Sequence, residues 1–164
     1  MSINAKVVTF LQMYNSTQEG MKAQVFKTLV EVCQQEGQID ILIQRARAVE
    51  QESSSWNLST EEKKDLYLSV AQSLDAVNDE GAFQIMHAYL KQFESEKTAS
   101  NLSAIQTHAR RCVILAIKTP NVINFEELLD LKAIKALEGV SFFLTHLFAE
   151  KQGCFQPAES VHQH

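Results

Sequence analysis

Apolar residues recur along this chain at steps of three and four. Met21, Val25, Leu29 and Val32 form one such series, and Leu66, Val70, Leu74 and Val77 a second. Phe83, Met86, Leu90 and Phe93 repeat it, and Leu102, Ile105, Ala109, Cys112, Val113 and Ala116 give the clearest stripe. A helix turns once every 3.6 residues, so each series lines one face of a helix. No stretch alternates apolar and polar residues as a half-buried strand would, and no sheet is expected.

Local signals place the helix ends. Ser59-Thr60-Glu61-Glu62 reads as a capping box, with the Ser59 hydroxyl accepting from the Glu62 amide and the Glu62 carboxylate reaching back to the Ser59 amide. That helix is expected from Thr60 to about Val77, with Asn78-Asp79-Glu80-Gly81 as the turn to a second helix ending near Phe93. Ser100 or Asn101 can cap the next helix, which must stop before Pro120 because proline disfavours helical geometry in the preceding residue. Asn124 precedes Phe125-Glu126-Glu127-Leu128-Leu129, whose two carboxylates suit a helix N-terminus. Gly139 looks like a stop for the segment Lys132–Glu138.

Helix starts near Thr17, Ser59 and Ser100 lie roughly 40 residues apart, the length scale of helix hairpins that stack into a solenoid. The expected fold is therefore all-α: stacked helix hairpins in a short right-handed α-solenoid. A closed bundle is the competing reading. Residues 1–150 are expected to form the helical-repeat domain, and residues 151–164 a polar, disordered tail.

Composition narrows the function classes. The 164 residues suffice for one domain. Five Gly and two Pro exclude collagen-like and proline-rich linker classes and count against a β-sandwich. A formal charge of −5 argues against coating nucleic acid by bulk electrostatics. The densest apolar stretch, Val140–Phe148, is interrupted by Ser141, Thr145 and His146 and falls short of the ~20 residues a membrane helix needs. The N-terminus carries no secretory pattern, so a cytosolic or nuclear chain is expected. Cys33, Cys112 and Cys154 are far apart and form no Cys-x-x-Cys pair, so Cys33 and Cys112 read as buried free thiols.

No catalytic or cofactor constellation emerges. His108 and Cys112 lie four apart on one helix and could both touch a metal, but Cys112 falls on the apolar stripe and no second pair exists; core packing is preferred. The sequence has no G-x-S-x-G elbow and no phosphate-cradling loop. Glu61–Glu62 and Glu126–Glu127 are adjacent and point apart on a helix, where helix-start electrostatics accounts for them. The expectation is a non-enzymatic chain without metal or cofactor.

Three sets of residues are candidates for binding. Arg45, Arg47, Arg110, Arg111 and Lys118 form the basic set, with Arg110, Arg111 and Lys118 as the weak RNA-contact candidates; pairing with acids on the next helix layer is the alternative, and the net charge disfavours direct nucleic-acid contact. Trp56 reads as a plug between repeats in preference to an exposed anchor. Phe142, Phe143, Leu147 and Phe148 are the candidate partner-binding residues, an apolar end followed only by a polar tail.

The order of three blocks carries a resemblance. Trp56-Asn57-Leu58-Ser59-Thr60-Glu61-Glu62-Lys63-Lys64 comes first. His108-Ala109-Arg110-Arg111-Cys112-Val113, running on to Pro120-Asn121, comes second, and Phe125-Glu126-Glu127-Leu128-Leu129-Asp130-Leu131-Lys132 with Lys135-Ala136-Leu137-Glu138-Gly139 third. Together they resemble the PCI family of helical-repeat subunits, found in translation initiation factor 3, the proteasome lid and the signalosome. The resemblance is clearest from Trp56 to Gly139. It implies a scaffold that meets other factor 3 subunits in the cytoplasm, acting indirectly on the small ribosomal subunit in recruiting messenger RNA and initiator transfer RNA. Signalosome or proteasome-lid membership is the sister reading, and a helical RNA-binding module a third. Family members continue past the equivalent of Ala149 into further helices and a winged helix, so a short form without the winged helix is expected.

Overall fold

The structure is a computed structural model that describes residues 3–95, 104–120, 125–137 and 139. Among them lie eight α-helices and no strand. They are α1 (Ile3–Ser16), α2 (Glu19–Glu36), α3 (Ile39–Glu52), α4 (Thr60–Leu74), α5 (Asp79–Lys91), α6 (Gln106–Lys118), α7 (Phe125–Asp130) and α8 (Lys132–Lys135). A 3-10 turn, Ser53–Ser55, follows α3.

The helices stack as pairs. Within a pair, α2 packs on α3 and α4 on α5. Between pairs, α2 packs on α4 and α3 on α5, so equivalent helices lie side by side. The next layer begins with α6 on α5, while α1 covers α2. Among the described residues α6 packs mainly on α5 and α8, the order of an open stack and not of a closed bundle. The all-α solenoid expected from the spacing is what forms.

Helix ends follow local chemistry. The capping box at α4 is complete: the Glu62 amide donates to Ser59 Oγ at 3.3 Å, and the Ser59 amide donates to Glu62 Oε2 at 2.9 Å. Gly37 ends α2 with φ +66°, and the Gln38 amide donates back to the Cys33 carbonyl at 2.9 Å. That left-handed residue with its backward bond is a Schellman stop, for which glycine carries no steric penalty. Helix α6 ends at Lys118, ahead of Pro120, as expected. Gly139 has φ +80°, consistent with a stop, although the last helix is shorter than expected and ends at Lys135.

Some boundaries differ from expectation. The turn between α4 and α5 falls earlier than expected, at residues 75–78: Asn78 is its last residue and caps α5, its Oδ1 accepting from the Gly81 amide at 2.5 Å, so Gly81 lies in the first helical turn. Helix α4 ends at Leu74, leaving Val77 beyond it and 55% exposed. Thr17 does not cap α2: its hydroxyl donates back to the Met13 carbonyl, and Gln18 takes the cap position without a side-chain bond. The face of α2 is also rotated. Ala23, Phe26, Leu29, Val30 and Cys33 are buried, while Met21 is 65% exposed.

The core runs continuously through the stack from Val7 to Leu137. Trp56 sits where the first pair meets the second, 2% exposed and in ring contact with Phe26 at 5.5 Å and Tyr14 at 6.0 Å. It is the plug that its position suggested. Asn57, at φ +53°, then turns the chain toward α4; asparagine tolerates this left-handed geometry better than most residues.

Candidate interaction surface

Three of the basic residues, Arg47, Arg111 and Lys118, meet carboxylates from other parts of the stack. Arg111 of α6 grips Asp75, with Nε at 2.7 and 3.0 Å from the two carboxylate oxygens and Nη2 at 2.6 Å from Oδ1. The Asp75 bond raises the already high pKa of Arg111, so its charge is permanent. Lys118 Nζ lies 3.9 Å from Asp79 Oδ2. From the other side, Arg47 of α3 reaches Glu80 Oε1 at 2.7 Å across a shallow cleft lined by Ile43, Gln44, Asn78 and Gln84. Arg45 lies over the Tyr14 ring, 5.1 Å from its centroid, and donates to Asn15 Oδ1 at 3.2 Å. Arg110 is exposed on α6.

The basic set is therefore dispersed. Arg45 belongs to the Tyr14–Trp56 corner, while Arg47, Arg111 and Lys118 converge on the corner between α4 and α5. The sequence offered acids on the next helix layer as partners, without giving Asp75, Asp79 or Glu80 that role. Asp75 and Arg111 are 36 positions apart, and no local pattern signals their pairing.

The remaining candidates occupy ordinary structural places. Cys33 and Cys112 are fully buried free thiols, and burial pushes Cys33 up to about 11 and Cys112 higher still. His108 meets the Tyr89 ring edge-on at 5.5 Å, and His87 stacks on Phe83 at 5.8 Å. Burial, with Lys91 nearby, lowers His87, so its imidazole is neutral at physiological pH. Glu62 serves the capping box and Glu61 pairs with Lys64 at 2.7 Å. Glu126 and Glu127 lie in the first turn of α7. Among the described residues no three of His, Cys, Asp and Glu gather as a metal site, and no helix is long and apolar enough to cross a membrane. Phe142, Phe143, Leu147 and Phe148 lie outside the described residues, as do Ser100, Asn101, Asn124, Cys154 and the tail.

An open stack of helix pairs with internally paired cations offers packing faces, and comparison with known proteins gives those faces a context. No known family profile matches the chain. Among curated proteins, it is 33% identical over 116 residues to eukaryotic translation initiation factor 3 subunit M of Homo sapiens, a stretch covering 70% of this chain and 30% of that protein. The Bos taurus protein of the same name gives the same identity and coverage, and the Danio rerio protein is 38% identical over 85 residues. The chain resembles subunit M of translation initiation factor 3. It spans about 30% of the length of the Bos taurus and Homo sapiens proteins it matches. The similarity to subunit M agrees with the factor 3 affiliation implied by the Trp56, His108 and Phe125 blocks.

Proposed function

We propose that this chain is a non-enzymatic scaffold of the translation initiation factor 3 complex in the cytoplasm. It supports initiation through contacts with other subunits of that complex, and through them with the small ribosomal subunit. The observation that carries this reading is the 33% identity to subunit M over 70% of the chain. The architecture supports it, because stacked pairs offer extended outer faces and inter-helix grooves suited to large protein neighbours. The pairing of Arg47, Arg111 and Lys118 with internal carboxylates also favours protein contacts over phosphate contacts. Membership of the PCI family is part of this proposal, with residues 1–150 as one helical-repeat unit and 151–164 as a tail. The apolar residues Phe142, Phe143, Leu147 and Phe148 are the proposed partner contact.

Affinity capture of the tagged chain from a cytoplasmic extract tests the reading, with bound proteins identified by mass spectrometry at low and high salt. The reading expects other factor 3 subunits to be recovered in both washes, since packing of apolar faces resists salt. Signalosome or proteasome-lid subunits in their place would overturn it. A strongly salt-sensitive recovery of RNA without these subunits would favour the RNA-binding module instead.

A further inference from the structure

We infer that the corner between α4 and α5 is an ionic clasp that fixes the axial register of α6 on the preceding helix pair. Asp75, Asp79 and Glu80 fall within one short stretch of chain and receive cations from two sides. Arg47 approaches Glu80 from α3, while Arg111 and Lys118 approach Asp75 and Asp79 from α6. Arg111 engages both oxygens of Asp75, the bidentate arrangement that adds geometric specificity to charge.

The apolar face of α6 explains why such a device is needed. Ala109, Cys112, Val113, Leu115 and Ala116 are its buried residues. Three of these are small, and the bulky ring contact between α5 and α6, Tyr89 with His108, lies toward one end of the seam. Interlocking ridges and grooves set the relative position of two helices. Along the rest of the seam the small residues gain burial energy at several axial positions and select weakly among them. Arg111 and Lys118 stand two helical turns apart on α6, and each faces a carboxylate at opposite ends of the corner. A slip of one turn would bring the neighbourhood of Leu115 opposite Asp75 and separate both pairs at once. Exposed single ion pairs contribute little to stability, but a bidentate pair within a charge network is the favourable case.

Hydrogen exchange of the full chain, followed by mass spectrometry, tests this. In Asp75→Asn/Asp79→Asn, amides of α6 should exchange about three to ten times faster at low salt, the range for losing one bidentate and one simple pair, while α2 amides stay within about twofold. The swapped pair Asp75→Arg/Arg111→Asp should restore α6 most of the way. Unchanged α6 exchange in the Asn variant, or a swap as fast as the Asn variant, would overturn the inference. Should either variant fail to fold, the unmodified chain decides: raising salt should accelerate α6 selectively as the pairs are screened. Salt-independent α6 exchange would overturn the clasp.

Discussion

Trp56 is the single tryptophan of the chain, and its replacement tests how the turn between α3 and α4 is held against α1 and α2. Its ring is 2% exposed and touches Phe26, itself 1% exposed, and Tyr14, 3% exposed. Trp56→Ala empties the centre of this three-ring cluster. Truncating a buried aromatic to alanine costs about 3–5 kcal/mol, a large share of the ~5–15 kcal/mol that holds a typical domain folded. Trp56→Phe should behave differently. The buried indole Nε1 has no hydrogen-bond partner among the described residues, and leaving such a donor unsatisfied costs about 1–3 kcal/mol. Phenylalanine removes that penalty and keeps a ring between Tyr14 and Phe26, although it leaves a smaller void. The two effects offset, so Trp56→Phe should cost less than about 1.5 kcal/mol. Urea unfolding followed by far-ultraviolet circular dichroism measures both variants without relying on tryptophan emission. A loss below about 1 kcal/mol for Trp56→Ala would refute the plug, and a loss above about 3 kcal/mol for Trp56→Phe would refute the argument from the unpartnered N–H.

Three further outcomes follow from local geometry. Hydrogen bonds from the Ser59 backbone and hydroxyl hold Glu62 below the usual carboxylate range, so its contribution is fully present above the unfolded pKa of about 4.3 and is lost as pH falls through the lower folded value; Glu62→Gln should flatten that acid limb in unfolding titrations. Asn57 at φ +53° should accept glycine with little change, whereas Asn57→Val should cost about 1–2 kcal/mol in denaturant melts. Cys33 and Cys112 are buried with raised pKa values, so an aromatic disulfide reagent at neutral pH should label neither in the native chain and both after unfolding, as peptide mapping would show.

The parts of the fold that were legible in the sequence are those governed by neighbours. The α4 capping box is encoded in four consecutive residues and forms as written. The α6 stripe forms as read: its described members Ile105, Ala109, Cys112, Val113 and Ala116 are all buried, although Ile114 lies off the stripe and is exposed. Helix α2 was ambiguous because two of its faces carry apolar residues at helical spacing. The series with Met21 and Val25 competes with the one with Phe26 and Cys33, and tertiary packing chose the latter. Asn78 serves equally in turns and as a helix cap, and the backbone at Gly81 decided for the cap. The role of the basic residues was the least legible. Arg47 meets Glu80 33 positions away and Arg111 meets Asp75 36 away, so their partners emerge only once the helix pairs are stacked.

The most direct test of the scaffold reading is binding of the purified chain to translation initiation factor 3 assembled without its own subunit M. Circular dichroism would first establish that the chain is helical and folds cooperatively. The account predicts saturable binding that persists at high salt and is competed by full-length subunit M. A folded chain that fails to bind, or that binds equally well when subunit M already occupies its place, would contradict it.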